Sequence, residues 1–361
     1  MTDAGTGERF PLGPMVDALR RLVEAESFST DAASVEKCAD VIDELCRDLL
    51  GSGTERRGSG LVWRRPGQRP VLLLCHFDTV WPTGTLEGFP FTVEDGVIRG
   101  PGSFDMKAGI VQALYAVRES HAPVTILFTG DEEIGSAASR PLIEEEARAS
   151  RAVLVMEPSE EGKIKIARKG VGNWTVEVRG QASHAGLAPE KGANAVVELA
   201  HQILRITGLG DPEAGTTVSV TTAEGGSVTN VIPERAACSV DVRIWTADEA
   251  DRVAGALASL EPVIEATSIG VEGEINRGPM ERSASEDLYR RLVALGYDIG
   301  TAEVGGASDG NFTAAMGVPT LDGLGPVGGG AHARDEHVIA DEVPRRAEMV
   351  ARLIDDLAAD G

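Results

Sequence analysis

Cysteine is scarce in this chain, and its four copies, Cys38, Cys46, Cys75 and Cys238, are scattered with no C-x-x-C pair. Three of them sit in apolar or amphipathic runs, so the set reads as reduced core thiols. Long uncharged apolar runs are also missing: none approaches the roughly 20 residues that span a bilayer. The expectation is a soluble chain with no membrane partner. The opening stretch MTDAGTGERFPLGPMVDALRR has neither the basic n-region nor the apolar h-region of a secretory signal, which points to a cytoplasmic address. Positive charge is in short supply, with 34 basic against 57 acidic side chains and a formal net charge of −23. Such a chain repels nucleic acid and anionic membranes. No long single-sign tail accounts for the excess, which reads as a solvated acidic surface.

What is present is a globular, loop-rich composition, 42% hydrophobic with 43 glycines, in 361 residues. That length favours two domains, or one large domain carrying an insertion. From Pro14 to Leu50 apolar residues recur at helical spacing, with a break near Ser27 to Ala32, and predict two helices. Val71–Cys75, Val124–Thr129 and Ala152–Met156 are short continuous apolar runs that read as buried strands, with helices over Lys107–Val117 and Arg140–Ala147 between them. This alternation is α/β. In open sheets of that kind ligands gather beyond the carboxyl ends of the strands, where the chain puts His76, Asp78, Asp131, Glu132, Glu133 and Glu157.

Near Gly170 the period changes to two, through Trp174, Val176 and Val178, then Val218 and Val220, then Cys238 to Ile244. Helices over Ala193–Ile206 and Ala247–Leu260 and a strand near Ile264–Val271 complete an inserted α+β domain. Helical patterns return at Ser285–Leu295 and Pro344–Leu357.

The chemistry-bearing residues fall in ordered clusters. His76 and Asp78 stand two apart beyond a strand, so the acid can orient the imidazole. Gly100-Pro101-Gly102-Ser103-Phe104-Asp105-Met106-Lys107 brings one acid to a helix start, where it could simply be an N-cap. Asp131, Glu132 and Glu133 follow a strand directly; their repulsion invites a cation, although a solvated acidic turn is the plainer reading. Adjacent carboxylates can divide labour, one holding a metal and the next taking a proton from water. With Glu157 and His332 the set is two histidines and three carboxylates plus a spare acid, donor chemistry that suits Zn²⁺, with Co²⁺ or Mn²⁺ as substitutes.

The series H-x-D, G-P-G-x-x-D-M-K, D-E-E-x-G-S, M-E-P, S-H-A-G and G-x-x-H-x-x-x-E resembles the two-zinc aminoacylase and carboxypeptidase superfamily, and within it the glutamate carboxypeptidases of the carboxypeptidase G type. The resemblance runs from about Val71 to Leu357. It implies a zinc-peptidase catalytic domain over 1–168 and 277–361, with a central mixed sheet flanked by helices, and a lid and dimerisation domain over 169–276. It makes His76 and Glu157 ligands of one zinc, Glu133 and His332 ligands of a second, Asp105 the bridge and Glu132 the general base. His184 would stabilise the oxyanion, in some relatives from the partner subunit of a homodimer. Arg277, Asn230 and Arg243 would read a substrate carboxylate, Lys163 an acidic side chain, and Gly306 lies in the substrate-side glycine loop. A cis Asp105-Met106 peptide is implied too. Two positions depart from the pattern, Ala108 in place of a glycine and Ala333 in place of serine or threonine. A hinge near Ala167–Gly170 and Asn276–Gly278 is expected to let the lid close.

The implied activity is hydrolysis of an amide bond beside a free carboxylate, in a peptide or N-acyl amino acid. An N-acyl amino acid deacylase of the acetylornithine deacetylase or succinyl-diaminopimelate desuccinylase type is the alternative within hydrolases. A non-catalytic binding protein on the same fold is the alternative outside them.

Overall fold

The apolar run Val71–His76 is buried along its whole length, as are Val124–Thr129 and Ala152–Val155. Strands apolar on both faces must be covered on both. In the computed structural model, which describes residues 9–359, these three strands lie parallel with Val71–His76 in the middle. The first eight residues of the opening stretch fall outside the described residues. Gly60–Arg65 and Glu55–Arg57 extend the sheet antiparallel beyond Val124–Thr129, and Thr320–Leu321 adds a parallel strand beyond Ala152–Val155.

Alternate residues of the central strand serve different cores. Leu73 and Cys75 join Leu22, Ile42, Leu114 and Ile354, contributed by helices Leu12–Glu24, Ala32–Leu50, Ala108–Glu119 and Glu342–Ala359. Leu72 and Leu74 join Leu142, Ile143 and Phe312 of helices Arg140–Ala149 and Gly310–Ala315. The sheet is thus sandwiched between helices, as the α/β reading expects. Local signals set the ends of these elements: Asp31 accepts from the Ala33 and Ser34 N–H groups to open Ala32–Leu50, and Gly51 closes it at φ 79°.

A second sheet in the same unit is antiparallel, in the order Gly328–Gly329, His337–Ile339, Val97–Arg99, Thr92–Glu94. Strands of two or three residues carry no readable period, and the sequence did not predict them. Their register pairs His337 with Arg99. The loop after Arg99 and the loop before His337 therefore share one end of this sheet.

The chain divides into two compact units, one holding the residues up to Ala167, Glu281–Val304 and those from Ser308 onward, the other Arg168–Met280 with Gly305–Ala307. The second is built on an antiparallel sheet in the order Thr217–Gly225, Arg235–Ile244, Gly170–Arg179, Ser268–Arg277. Trp174, Val176, Val240 and Val242 point to one face, against Leu199, Ile206, Val253 and Leu257 of helices Ala195–Thr207 and Ala247–Ala258. The last strand is displaced from its expected place at Ile264–Val271. The Val263 and Ile264 N–H groups are taken by the buried Glu198 carboxylate, which makes that stretch a turn. The strand runs on to Arg277, and Arg168 and Met280 exchange backbone hydrogen bonds of 3.0 and 3.1 Å, so this unit includes Arg277–Met280. All four cysteines are buried and unpaired. No helix among the described residues is long and apolar enough to cross a membrane.

Candidate metal centre

Parallel pairing of the three buried strands sets their carboxyl ends side by side, which brings together His76, the one-turn helix Glu132–Ile134 and Glu157. Asp105 and His332 arrive on the two loops that leave the small sheet together. Asp105 does not cap the following helix. It is extended, at φ −112° and ψ 94°, and the helix begins only at Ala108. The Asp105-Met106 peptide is cis, as the resemblance implies.

The five side chains meet around Asp105. Its Oδ1 lies 3.3 Å from His76 Nε2, which is also 3.4 Å from Glu157 Oε1. Its Oδ2 lies 3.2 Å from His332 Nε2, which is 3.1 Å from Glu133 Oε1. One carboxylate thus offers an oxygen to each of two imidazole–carboxylate pairs. Donor atoms bound at about 2.0–2.2 Å to one tetrahedral zinc stand roughly 3.3 Å apart, and all four separations match that spacing. Ligand atoms of His76, Asp105 and Glu133 also lie within 4.8 Å of one another. Asp105 Oδ1 is buried with no hydrogen-bond partner among the described residues, a costly state that a cation would relieve. The residues fit a pair of divalent cations.

In the protein alone, protons answer the same demand for positive charge. Burial would depress His76, yet Asp105, Asp78 and Glu157 hold it well above the ordinary imidazole value. Asp105 and Glu133 push His332 up to about 10. Burial acts to raise Asp105, but His332 and His76 hold it well below the usual carboxylate range. Glu133 moves the other way, raised by burial and by the charge of Asp105.

Asp78, fully buried, supports this cluster from behind. Its carbonyl oxygen lies 3.1 Å from His76 Nδ1, with its own Oδ1 at 3.5 Å, which turns Nε2 toward Asp105 and Glu157. Its carboxylate accepts the N–H groups of Glu132 and Glu133, each at 3.1 Å, and the Ser29 hydroxyl at 2.7 Å. Asp78 therefore orients a histidine and the two-glutamate turn at once. Asp131 is separated from its neighbours' chemistry, because its carboxylate accepts the Ala138 and Ser139 N–H groups. The Glu132 side chain is half-buried beside Glu133 on the same turn.

The family model for peptidase family M20/M25/M40 matches residues 72–356 of this sequence. The chain belongs to that family. Carboxypeptidase G2 of Pseudomonas sp. (strain RS-16) is 33% identical over 372 residues, covering 96% of this chain and 89% of the relative. Succinyl-diaminopimelate desuccinylase of Dechloromonas aromatica (strain RCB) is 26% identical over 382 residues, covering 95% and 98%. Among solved structures, the aminopeptidase PepT from Bacillus cereus superposes with a TM-score of 0.75 at 21% identity, covering 97% of this chain and all of the other, which shows a shared fold. As an M20 family member the protein is a hydrolase.

The two departures from the family pattern sit in different surroundings. Ala108 is fully buried in the core, and the glycine that the packing demands is Gly109, where a Cβ would come within 2.2 Å of the Met156 carbonyl oxygen. Ala333 is exposed.

The remaining candidates behave differently from one another. His184 is exposed on the two-residue strand Ser183–His184, paired with Val231–Ile232, and Ala185 N–H donates to the Asn230 carbonyl at 2.9 Å. His184 Nδ1 accepts the Gly186 and Leu187 N–H groups, both at 3.1 Å, so in the neutral ring Nε2 carries the proton and is a donor. Arg277 is buried at the end of its strand. Arg243 is already gripped by both oxygens of Asp241 at 3.0 Å, which occupies the fork expected to read a substrate carboxylate. Lys163 pairs with Glu161 at 3.2 Å in the first unit, and the exposed Gly306 accepts at its carbonyl from Arg168 at 3.1 Å in the second.

Sequence reasoning missed two acids. Asp309 accepts from the Thr129 and Ser136 hydroxyls and so braces the loop that carries Glu132 and Glu133. Glu336, the acid that ends the G-x-x-H-x-x-x-E motif, is fully buried. Burial and the charge of Asp105 push it up to about 7, against the hydrogen bonds it receives from the Asp105 and Gly102 N–H groups and the Trp81 indole.

Proposed function

We propose that this protein is a two-zinc exopeptidase that removes a C-terminal residue, glutamate in the first instance, by hydrolysing the amide bond next to its free carboxylate. His76 and Glu157 would hold one cation, Glu133 and His332 the other, and Asp105 both. The observation that carries this reading is the division of the Asp105 carboxylate between two imidazoles, at 3.3 and 3.2 Å. Bound there, the cations would supply Lewis acidity toward the scissile carbonyl and toward water. Glu132 takes the proton of the attacking water and returns it to the leaving nitrogen. Asp78 holds Glu132 and Glu133 in place during that transfer. His184 donates from Nε2 to the developing oxyanion, and Arg277 receives the substrate carboxylate through its planar fork. Arg243, committed to Asp241, drops out of that role.

The unit that carries His184 also supports the proposed homodimer. Val196, Val197 and Leu204 of helix Ala195–Thr207 are exposed, Leu204 at 74%, next to the edge strand Thr217–Gly225. An apolar helix face beside an unpaired strand edge suits a second copy. A cytoplasmic location remains part of this proposal.

Likeness to a desuccinylase over 95% of the chain favours a second reading, removal of an acyl group from an N-acyl amino acid by the same centre. Substrate profiling separates the two. Peptides and acyl groups capped by C-terminal glutamate should turn over fastest, and a clear preference for N-succinyl or N-acetyl diamino acids would replace the first reading with the second.

A further inference from the structure

Glu336 makes a set of contacts unlike that of any ligand. Its Oε1 accepts the Phe104 N–H at 2.9 Å and the Asp105 N–H at 3.1 Å, while its Oε2 accepts the Gly102 N–H at 3.0 Å and the Trp81 indole N–H at 2.8 Å. Both oxygens are thus saturated by four donors, three of them the backbone of the loop that presents Asp105. Glu336 itself closes the loop that presents His332. Apart from that clamp the loop is held by local turns and one arginine: Gly330 and His332 sit at φ 76° and 62°, the His332 side chain is 49% exposed, Ala333 N–H donates to the Gly330 carbonyl at 2.9 Å and Glu336 N–H to the Ala333 carbonyl at 3.0 Å, and Arg99 reaches the Asp335 carbonyl at 3.4 Å.

We propose that Glu336 is a positioning residue that ties the Asp105 loop to the His332 loop and so sets the affinity of the His332–Glu133 cation site selectively. This inference rests on the two-cation reading above. The selectivity follows from where the other ligands are rooted. His76 belongs to the central strand and Glu157 follows the neighbouring one, so both are fixed by the six-stranded sheet whatever Glu336 does. His332 has no such anchor, and the oxygen of Asp105 that faces it, Oδ2, is aimed by the loop that Glu336 grips. Glu336→Gln keeps the size but turns an NH₂ group toward two N–H donors, which sets donor against donor in half of the clamp.

The test is zinc retention by the holoprotein, dialysed against a series of zinc buffers of falling free concentration and read as zinc per chain. In the natural protein two equivalents should leave. In Glu336→Gln one equivalent should leave as before and the other at a free zinc concentration 10- to 100-fold higher, the size of effect usual when a ligand's support is lost. Glu336→Asp should recover part of the loss, and Trp81→Phe, which removes one donor of four and leaves the acid, should give a smaller shift of the same equivalent. Unchanged retention of both equivalents in Glu336→Gln would overturn the proposal. So would an equal weakening of both with a fall in melting temperature, which is the mark of a merely structural acid. If the natural protein itself retains fewer than two zincs at every concentration, the two-cation reading fails and this inference fails with it.

Discussion

Replacing Glu132 by glutamine separates proton transfer from metal holding. The backbone of that turn is fixed through the Glu132 and Glu133 N–H groups on Asp78, and Glu132 is not itself one of the five proposed ligands, so an isosteric change at its side chain should leave the proposed ligand set intact. What is removed is the group proposed to accept the proton of water and hand it to the departing nitrogen. A positioned general base contributes about 10²- to 10⁴-fold, and Glu132 acts in both halves of the reaction, so kcat should fall by about 10³- to 10⁴-fold, a barrier increase of about 4–5.5 kcal/mol. KM should change little, because substrate binding is assigned to other residues. The assay is steady-state hydrolysis of a C-terminal glutamyl amide, with zinc measured on the same preparation. Loss of zinc in the variant would refute the division of labour, and turnover within tenfold of the natural protein would refute Glu132 as the base.

Further outcomes follow from neighbouring contacts. Asp78→Asn should weaken zinc binding by about 10- to 100-fold without touching a ligand, since it disturbs both the His76 imidazole and the Glu133 turn; unaltered zinc retention would contradict that role. His332 stands at about 10 without metal, so zinc uptake at pH 8 should release a proton, seen as a calorimetric heat that varies with the ionisation enthalpy of the buffer. By the same shift, protonated His332 stabilises the chelated protein fully below about 6.5, and that contribution is lost as the pH rises through about 10, an effect that His332→Ala should abolish in melting curves. Leu204→Asp should convert the proposed dimer to monomer in sedimentation, and an unchanged molecular mass would move the interface elsewhere.

How much of this was legible in the sequence depended on run length. Val71–His76, Val124–Thr129 and Ala152–Val155 are long enough to show continuous burial, so the α/β sheet and the strand-end positions of His76, Glu133 and Glu157 could be read directly. Val97–Arg99 and His337–Ile339 are too short to carry a period, yet their pairing is what brings Asp105 to His332. The motif series supplied those two residues through family resemblance, where pattern reading alone left Asp105 as a helix cap. Strand Ser268–Arg277 was misplaced because Gly273 interrupts the apolar alternation of Ile269, Val271 and Ile275 while Val263 and Ile264 mimic a strand start. Side-chain commitments were invisible: nothing in the letters says that Asp241 engages Arg243, or that Glu336 gathers four donors.

The central claim is that Asp105 is shared by two cations, and zinc per chain in Asp105→Ala against the natural protein tests it most directly. At a free zinc concentration that saturates the natural protein, two equivalents are predicted there and fewer than one in the variant, because each site loses an anionic oxygen. Two equivalents retained by Asp105→Ala, or no more than one bound by the natural protein, would contradict the account.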